Sequence, residues 1–284
     1  MFLKTLLPAV ALCLIPLAGM AEDTKATLID QLYRQSGMER QMEQLPMIIQ
    51  VAFDQAAADH THFRKLPRSV VAEMRGAVTA AYDPEIIKRA IMDECHETLS
   101  IEDLNQVLGW LRSPLGRRIT RLEESAASPE SFLALQRYAV EVQQTPPPPE
   151  RLAVVQQLDA AVKVTETGVE IAMNTQLAVA MAVLASLPVE QQPTPANLAA
   201  ALEQQRAQIQ NLVRNQTLIS LLYTYRGITD DEILEYIAFA SSSAGVRYHD
   251  ASIAGFKSAL LEGGYKWGES IGEILNHSES KTDV

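Results

Sequence analysis

The stretch LSIEDLNQVLGWLRSPLGRRI, residues 99–119, decides the fold because a second stretch of the chain repeats its pattern. A shift of 129 positions lays it over ITDDEILEYIAFASSSAGVRY, residues 228–248. Each copy begins with a hydroxyl residue and an acid that are typical of a helix start. Apolar residues at helical spacing follow, and then Ser-x-x-Gly and an arginine. Two copies of one helical pattern predict a tandem duplication.

The segment Ser113-Pro114-x-Gly116 predicts a corner between two helices. A serine caps the free N–H groups of a new helix, and proline suits its first position. Gly116 has no Cβ, so another backbone can approach closely. The second copy keeps Ser242 and Gly245 without the proline, which indicates that the cap and the small residue define the corner.

A binding groove at these corners is the functional alternative to a purely structural corner. Polar groups would then lie beside an aromatic ring, and aromatic residues often anchor binding surfaces. The structural interpretation is favoured because bundles commonly turn in this way. The candidate binding residues are Trp110, Ser113, Gly116, Phe239, Ser242 and Gly245.

Helical periodicity recurs along nearly the whole chain, and no segment alternates as a strand does. The predicted fold class is therefore all-α. The predicted helices span residues 24–36, 38–58, 67–82, 84–98, 101–112, 114–126, 129–144, 150–187 in two pieces, 195–225, 230–241 and 243–275.

The segment TPPPPE, residues 145–150, divides the chain, since consecutive prolines favour a stiff polyproline II spacer. A weaker match, of residues 35–42 with residues 166–173, also favours a duplication. We therefore predict two tandem helical-bundle repeats joined by a proline-rich spacer. The predicted parts are a signal peptide (1–21), helical repeat 1 (22–144), the linker (145–150), helical repeat 2 (151–276) and a disordered tail (277–284).

The corner segments resemble the bacterial domain of unknown function 2059, in two copies. The second copy lacks the proline and has Val246 where Arg117 stands in the first. The resemblance implies an exported helical protein and brings no activity, cofactor or catalytic residue with it. It is carried by Glu102, Asp103, Leu104, Trp110, Ser113, Pro114, Gly116 and Arg118.

The first residues have the three parts of a secretory signal peptide. Lys4 supplies the positive charge, residues 6–17 the apolar run, and residues 19–21 the small-residue cleavage site. We therefore expect cleavage near Ala21 and a periplasmic or secreted protein. Cys95 is then the single remaining cysteine, and its place on an apolar helix stripe predicts a buried thiol.

The formal net charge of −11, with no basic cluster, argues against nucleic-acid and anionic-membrane partners. Residues 171–187 carry no charge, but they are fewer than the ~20 needed to span a bilayer and end at a proline. We predict a buried central helix there, and no transmembrane segment after removal of the signal peptide.

Two segments are candidates for chemistry. Asp59, His60 and His62 lie in a predicted loop with ligand types that suit zinc, but no further ligands can be named. Residues 93–97, DECHE, combine acids, a cysteine and a histidine. Because Cys95 and its neighbour point about 100° apart on a helix, a solvated acidic face beside a buried thiol is the favoured interpretation.

Motifs for phosphate binding, zinc proteases and serine hydrolases are absent from the sequence, which favours a protein without catalytic activity. The leading hypothesis is a non-enzymatic binding or interaction protein, such as an envelope accessory factor, that needs no cofactor. Its partner would be a protein or an apolar small molecule. One alternative is a carrier of an apolar small molecule or lipid, suggested by the methionines and residues 171–187. A second is a metal-dependent enzyme that uses His60 and His62.

Overall fold

The computed structural model describes residues 17–59, 63–185 and 195–282. Within these ranges the chain is helical and contains no strand, which confirms the all-α prediction. Two short 3-10 turns, Phe63–Lys65 and Pro129–Ser131, accompany the α-helices. The α-helices are α1 (Leu17–Gln35), α2 (Met38–Asp59), α3 (Arg68–Ala81), α4 (Pro84–Thr98), α5 (Ile101–Leu111), α6 (Pro114–Ala126), α7 (Phe132–Gln144), α8 (Pro149–Val162), α9 (Val164–Ala185), α10 (Pro195–Thr224), α11 (Asp230–Ala240) and α12 (Ser243–Thr282).

Several helices begin where capping residues predict. Ser100 and Asp103 form a complete capping box at the start of α5, and Thr229 and Glu232 form one at the start of α11. Asp83 caps α4 by accepting a hydrogen bond from a backbone N–H of the first turn. These contacts satisfy N–H groups that have no partner within a helix.

Helix bounds differ from the predictions at several places. The last proline of the spacer, Pro149, already belongs to α8, because proline is well suited to a first helical turn. The break predicted within 150–187 falls at Lys163, whose φ of 56° is left-handed. Helix α12 continues to Thr282, into the segment 277–284 that was predicted to be disordered. Residues 1–16 of the predicted signal peptide lie outside the described residues.

A first hydrophobic core joins helices α1–α5 to α12. Trp267 of α12 is fully buried there and donates a hydrogen bond to the Met74 carbonyl oxygen at 2.9 Å. Its ring makes an edge contact with Phe53, at 5.3 Å between centroids. Helix α12 lies directly against α4, since a Cβ on Gly255 would come within 2.6 Å of the Ala90 carbonyl oxygen. The C-terminal helix of the chain therefore completes the core of the N-terminal half.

A second core is built from α8, the end of α10, α11 and helix α6. Ile119 of α6 is buried in it, and Leu115 and Leu122 pack beside Ile119 on the same helical stripe. Tyr138 of α7 also packs against this core. A helix from the N-terminal half thus completes the core of the C-terminal half.

The two halves of the chain, residues 22–144 and 151–276, are therefore interlocked, and the proline spacer does not separate two independent bundles. Each half sends the helix that follows its corner, α6 or α12, into the core of the other half. The division into repeats at 145–150 stays a prediction, and the two cores do not follow it. Helix α12 packs on helices of both halves, since it lies against α4 and also against α9.

The two segments that match at an offset of 129 have helices with equivalent bounds. The two segments of the weaker match, 35–42 and 166–173, do not. Helices α5 and α11 begin and end at equivalent positions, and α6 and α12 begin at equivalent positions. In contrast, Gly37 forms the left-handed turn between α1 and α2, with φ of 80°, while Gly168 lies inside α9. The duplication itself stays a prediction.

Helix α9 packs against α10 and α12, and its side chains Val169 and Met173 are buried. None of the helices in the described ranges has the length and apolar character needed to cross a membrane. The described part of the segment 171–187 accordingly belongs to the packed helical fold.

Candidate functional site

The predicted corner residues form a close backbone contact. Ser113 Oγ accepts a hydrogen bond from the Gly116 N–H at 2.9 Å and so caps α6. A Cβ on Gly116 would lie 2.1 Å from the carbonyl oxygen of Trp110, at the end of α5. The glycine is therefore required for the corner, and the backbone that it approaches is the end of the preceding helix.

The second corner has the same geometry. Ser242 Oγ accepts from the Gly245 N–H at 3.1 Å and caps α12. A Cβ on Gly245 would lie 2.2 Å from the carbonyl oxygen of Phe239. The equivalence holds although position 243 is a serine where the first corner has a proline.

The two predicted aromatic residues contact each other at the junction of the two cores. The rings of Trp110 and Phe239 stack with 4.8 Å between centroids and 9° between planes. Tyr236 also stacks with Trp110, at 5.8 Å between centroids. Trp110 and Phe239 are half-buried and pack against both cores. Their faces are thus used within the protein, and this arrangement joins the halves of the chain.

A buried carboxyl lies beside this junction. Glu123 Oε1, on α6, accepts hydrogen bonds from the hydroxyls of Tyr225 at 2.5 Å and Tyr236 at 3.3 Å. Burial raises the pKa of Glu123 to about 7, against the opposing effect of the two hydrogen bonds. This carboxyl therefore changes charge near neutral pH, at a contact between the two halves.

His249 is a second titratable group in a buried environment. Within the described part of the chain its Nε2 is buried without a hydrogen-bond partner. Burial lowers the pKa of His249 to about 4, so the ring is neutral at neutral pH. Its ring contacts Tyr248 at 5.0 Å between centroids.

A concave feature of the described structure is a cleft between α8, α9 and α10, with a volume of about 670 Å³. We call it the α8–α10 cleft. Its lining has three cationic and three anionic side chains, several amides and an apolar floor. The lining residues are Gln156, Asp159, Ala160, Lys163, Thr165, Glu166, Val169, Glu170, Arg206, Gln210, Arg214, Asn215 and Leu218.

The break between α8 and α9 shapes one end of the cleft. Lys163 occupies the left-handed conformation that separates the two helices, and its ammonium group pairs with Asp250 of α12. Asp159 Oδ1 accepts a hydrogen bond from the Thr165 N–H at 2.8 Å, and Oδ2 accepts one from its hydroxyl at 2.6 Å. These contacts hold the start of α9 against the end of α8.

Ion pairs tie the α9 wall of the cleft to its neighbours. Glu170 Oε1 lies 3.2 Å from Arg206 Nη1 and 3.7 Å from Lys257 Nζ of α12. Lys257 Nζ also lies 3.1 Å from Glu166 Oε1. The side chains of this network are partly exposed, so it orients the wall more than it stabilises the fold.

The opposite wall, on α10, presents donors that are not engaged. Arg214 is exposed, and within the described ranges it has no ion pair or hydrogen bond. Gln210 lies one helical turn before it and Asn215 follows it, and their amides are equally unengaged within those ranges. The cleft therefore combines paired charges, at Lys163, Glu166, Glu170 and Arg206, with donors on α10 that are available to a ligand.

The structure places the other candidates for chemistry apart from this cleft. His60 and His62 lie outside the described residues, and Asp59 is the last residue of α2. The described residues contain no group of three or more ligands suited to a metal ion, so a metal site at 59–62 stays a prediction. Cys95 is buried as predicted, and burial raises the pKa of its thiol to about 11. Such a thiol is a poor nucleophile at neutral pH.

Sequence reasoning missed the residues of the α8–α10 cleft. The backbone conformation of Lys163 has no clear sequence sign, since left-handed residues are usually glycine or asparagine. The spacing of Glu166 with Glu170, and of Gln210 with Arg214, placed each pair on one helix face. Those patterns are also typical of solvated helix surfaces, and only the packing of three helices makes them one site.

No protein-family model, no curated protein and no solved structure matches the chain. The resemblance to the domain of unknown function 2059 therefore stays a prediction.

Proposed function

We propose that the protein is a non-enzymatic binding protein and that its ligand occupies the α8–α10 cleft. The volume of about 670 Å³ is the observation that carries this proposal. Sites for small molecules usually enclose roughly 300–1,000 Å³ and place a few polar groups over an apolar floor. The cleft has both properties, with Val169 and Leu218 among its apolar lining.

The charges of the cleft favour binding over catalysis. The lining holds no histidine or cysteine. The hydrogen bond that Lys163 donates to Asp250 raises the pKa of Lys163, and those that Arg206 donates to Glu203 raise the pKa of Arg206. Both cations therefore stay protonated and cannot act as bases. The lining hydroxyl, on Thr165, donates to Asp159 in a contact that ties two helices together.

A polar ligand suits this protein better than an apolar one. An apolar cavity between α1 and α4, beside Tyr33 and Cys95, has a volume of about 10 Å³. That space is about what a single water molecule needs, so an acyl chain does not fit there. The proposal therefore favours binding of a small polar molecule over lipid transport.

We place this binding function in the bacterial cell envelope, as an accessory protein. The proposal on location is supported by the predicted signal peptide over residues 1–21 and by the single remaining cysteine, Cys95. Binding proteins in that compartment meet small polar solutes directly.

Native mass spectrometry tests the proposed function. The full chain is incubated with the small-molecule fraction of bacterial envelopes, and bound mass is measured. The matched variants are Ala160→Trp, which fills the cleft from α8, and Ala153→Trp, on the same helix and exposed but outside the lining. We expect bound mass with the natural chain and with Ala153→Trp, and its loss with Ala160→Trp. Absence of bound mass in the natural chain would reject the proposal, and equal binding by both variants would place the ligand elsewhere.

A further inference from the structure

We infer that the ligand of the α8–α10 cleft is a short peptide with a free carboxylate and a free ammonium group. This inference rests on the proposed function and specifies its ligand. It follows from three parts of the lining: the donors on α10, the carboxylates on α8 and α9, and the glutamine amides.

The donors on α10 fit a carboxylate. Arg214 presents a planar guanidinium that can pair with a carboxylate through two parallel hydrogen bonds. Within the described part of the chain it has no anionic partner. Gln210 and Asn215 flank it and add amide N–H donors. The C-terminal carboxylate of a peptide would satisfy this group of donors.

The carboxylates on α8 and α9 fit an ammonium group. Asp159 of α8 and Glu166 and Glu170 of α9 line the cleft. An ionised carboxylate has about four acceptor positions, and the contacts of Asp159 to Thr165 and of Glu166 to Lys257 use only part of them. The N-terminal ammonium of a peptide would use the remaining acceptors.

Other residues of the lining fit peptide groups and small side chains. Gln156 and Gln210 each offer an N–H donor and a carbonyl acceptor, the two functions that a peptide bond needs. Val169 and Leu218 offer apolar surface. Burial of a peptide bond requires such paired partners, because an unpaired amide loses its hydration without compensation.

The balance of charge favours a ligand with no net charge. The lining has three cations, Lys163, Arg206 and Arg214, and three carboxylates. A ligand with a single charge would leave the occupied cleft with a net charge. A molecule with one charge of each sign can pair with both kinds of group and leaves the balance unchanged.

Isothermal titration calorimetry on the full chain tests this inference with three probes: trialanine, N-acetyl-trialanine and trialanine amide. We expect trialanine to bind at least about tenfold more tightly than either blocked form, because each blocked form loses one charge-assisted contact. In Arg214→Ala, affinity for trialanine should fall to the level of the amide, while affinity for the amide stays unchanged. Arg137→Ala, on an exposed arginine of α7 outside the lining, is the control and should bind as the natural chain does.

The outcomes separate this inference from the proposed function. If trialanine does not bind, but envelope molecules bind to the natural chain and not to Ala160→Trp, the peptide inference is overturned and the proposed function stands. Equal binding of trialanine and its two blocked forms would also overturn the inference. If neither trialanine nor any envelope molecule binds, both proposals fail.

Discussion

Arg247, in the second half of the chain, donates two hydrogen bonds to the buried carboxylate of Asp103 in the first half, with 3.1 Å between Arg247 Nε and Asp103 Oδ2. The equivalent contact runs in the opposite direction, from Arg118 of the first half to Glu232 of the second at 2.6 Å. Each arginine follows a corner glycine by two positions, and each acid belongs to a capping box. The acid that caps its own helix therefore also holds the other half of the chain.

Substitution of Arg247 by alanine should lower the free energy of unfolding more than substitution of Arg118. The Asp103 side chain is 6% exposed, whereas that of Glu232 is 29% exposed. Removal of the arginine leaves the more buried carboxylate with fewer partners, which is the costlier state. Urea unfolding of Arg247→Ala and Arg118→Ala at neutral pH measures the difference. Equal losses of unfolding free energy in the two variants would show that the burial of the acid does not set the cost of removing its arginine.

The same pair predicts an acid-sensitive contribution to stability. The hydrogen bond from Arg247 is the main reason that the pKa of Asp103 is lowered to about 2. The pKa of this carboxyl is lower in the folded chain than in the unfolded chain, where it is near 4. The ionised carboxyl therefore stabilises the fold at pH values above about 4, and this stabilisation is lost as the pH falls toward 2. The gap in unfolding free energy between the natural chain and Arg247→Ala should therefore narrow between about pH 5 and about pH 2. A gap that does not change with pH would contradict the assigned cause.

An added methyl group at either corner should destabilise the fold. In Gly116→Ala or Gly245→Ala the new Cβ would meet a backbone carbonyl oxygen at 2.1 or 2.2 Å. We expect a loss of about 1–3 kcal/mol in the free energy of unfolding, because backbone must shift to relieve the contact. Thermal and urea unfolding measure it.

Gly76→Ala, within α3, is the matched control, since a Cβ there meets nothing within 4 Å. The higher helix propensity of alanine should stabilise that variant by roughly 0.5–1 kcal/mol. Stabilisation of the corner variants to the same extent would show that the corners tolerate a side chain.

Local features of the chain could be predicted from sequence because the contacts that create them are local. Ser100, Ser113 and Thr229 each cap a helix through an N–H group three residues away. The polar or small residue therefore stands beside the group that it satisfies, and the pattern is readable in the sequence. The helix starts at these positions were predicted for this reason.

Long-range packing could not be predicted in the same way. The apolar stripe of Ile119 shows that α6 is buried on one face, but an apolar face matches any other apolar face of suitable shape. The sequence therefore does not show that Ile119 packs with the second half, or that Trp267 completes the first core. The α8–α10 cleft depends on this packing, and it was missed for the same reason.

Separation of the two halves should prevent either from folding alone. The first core contains Trp267 and Ile271 of α12, and the second contains Ile119 of α6. Residues 22–144 expressed alone would lack α12 and leave the apolar faces of α3 and α4 exposed. We expect no cooperative thermal transition for 22–144 or for 151–284 alone, and recovery of one when the two fragments are mixed. Circular dichroism with temperature measures both states.

The full chain cut once within the proline spacer is the control, because both halves are then present from the start. A sharp transition for residues 22–144 alone would show that the first half is an independent domain. The interlocked arrangement would then contribute little to stability.

As the pH rises, the free energy of unfolding of Glu123→Gln should increase relative to that of the natural chain. Burial raises the pKa of Glu123 to about 7, while the unfolded value is near 4.3. The folded state therefore binds a proton that the unfolded state has released, and the contribution of this group to stability falls between about pH 4 and about pH 7. Glutamine has no charge to lose and keeps an oxygen for the hydroxyls of Tyr225 and Tyr236.

Urea unfolding at about pH 5 and about pH 8 measures this effect as the difference between Glu123→Gln and the natural chain. His249, whose pKa is lowered to about 4 by burial, contributes in the opposite direction between about pH 4 and about pH 6.5. That contribution is common to both proteins and cancels in the difference. Glu130→Gln, at an exposed position, is the control and should show a difference that does not depend on pH. A flat difference for Glu123→Gln as well would mean that the Glu123 carboxyl ionises in its ordinary range, and that the two tyrosine hydroxyls offset its burial.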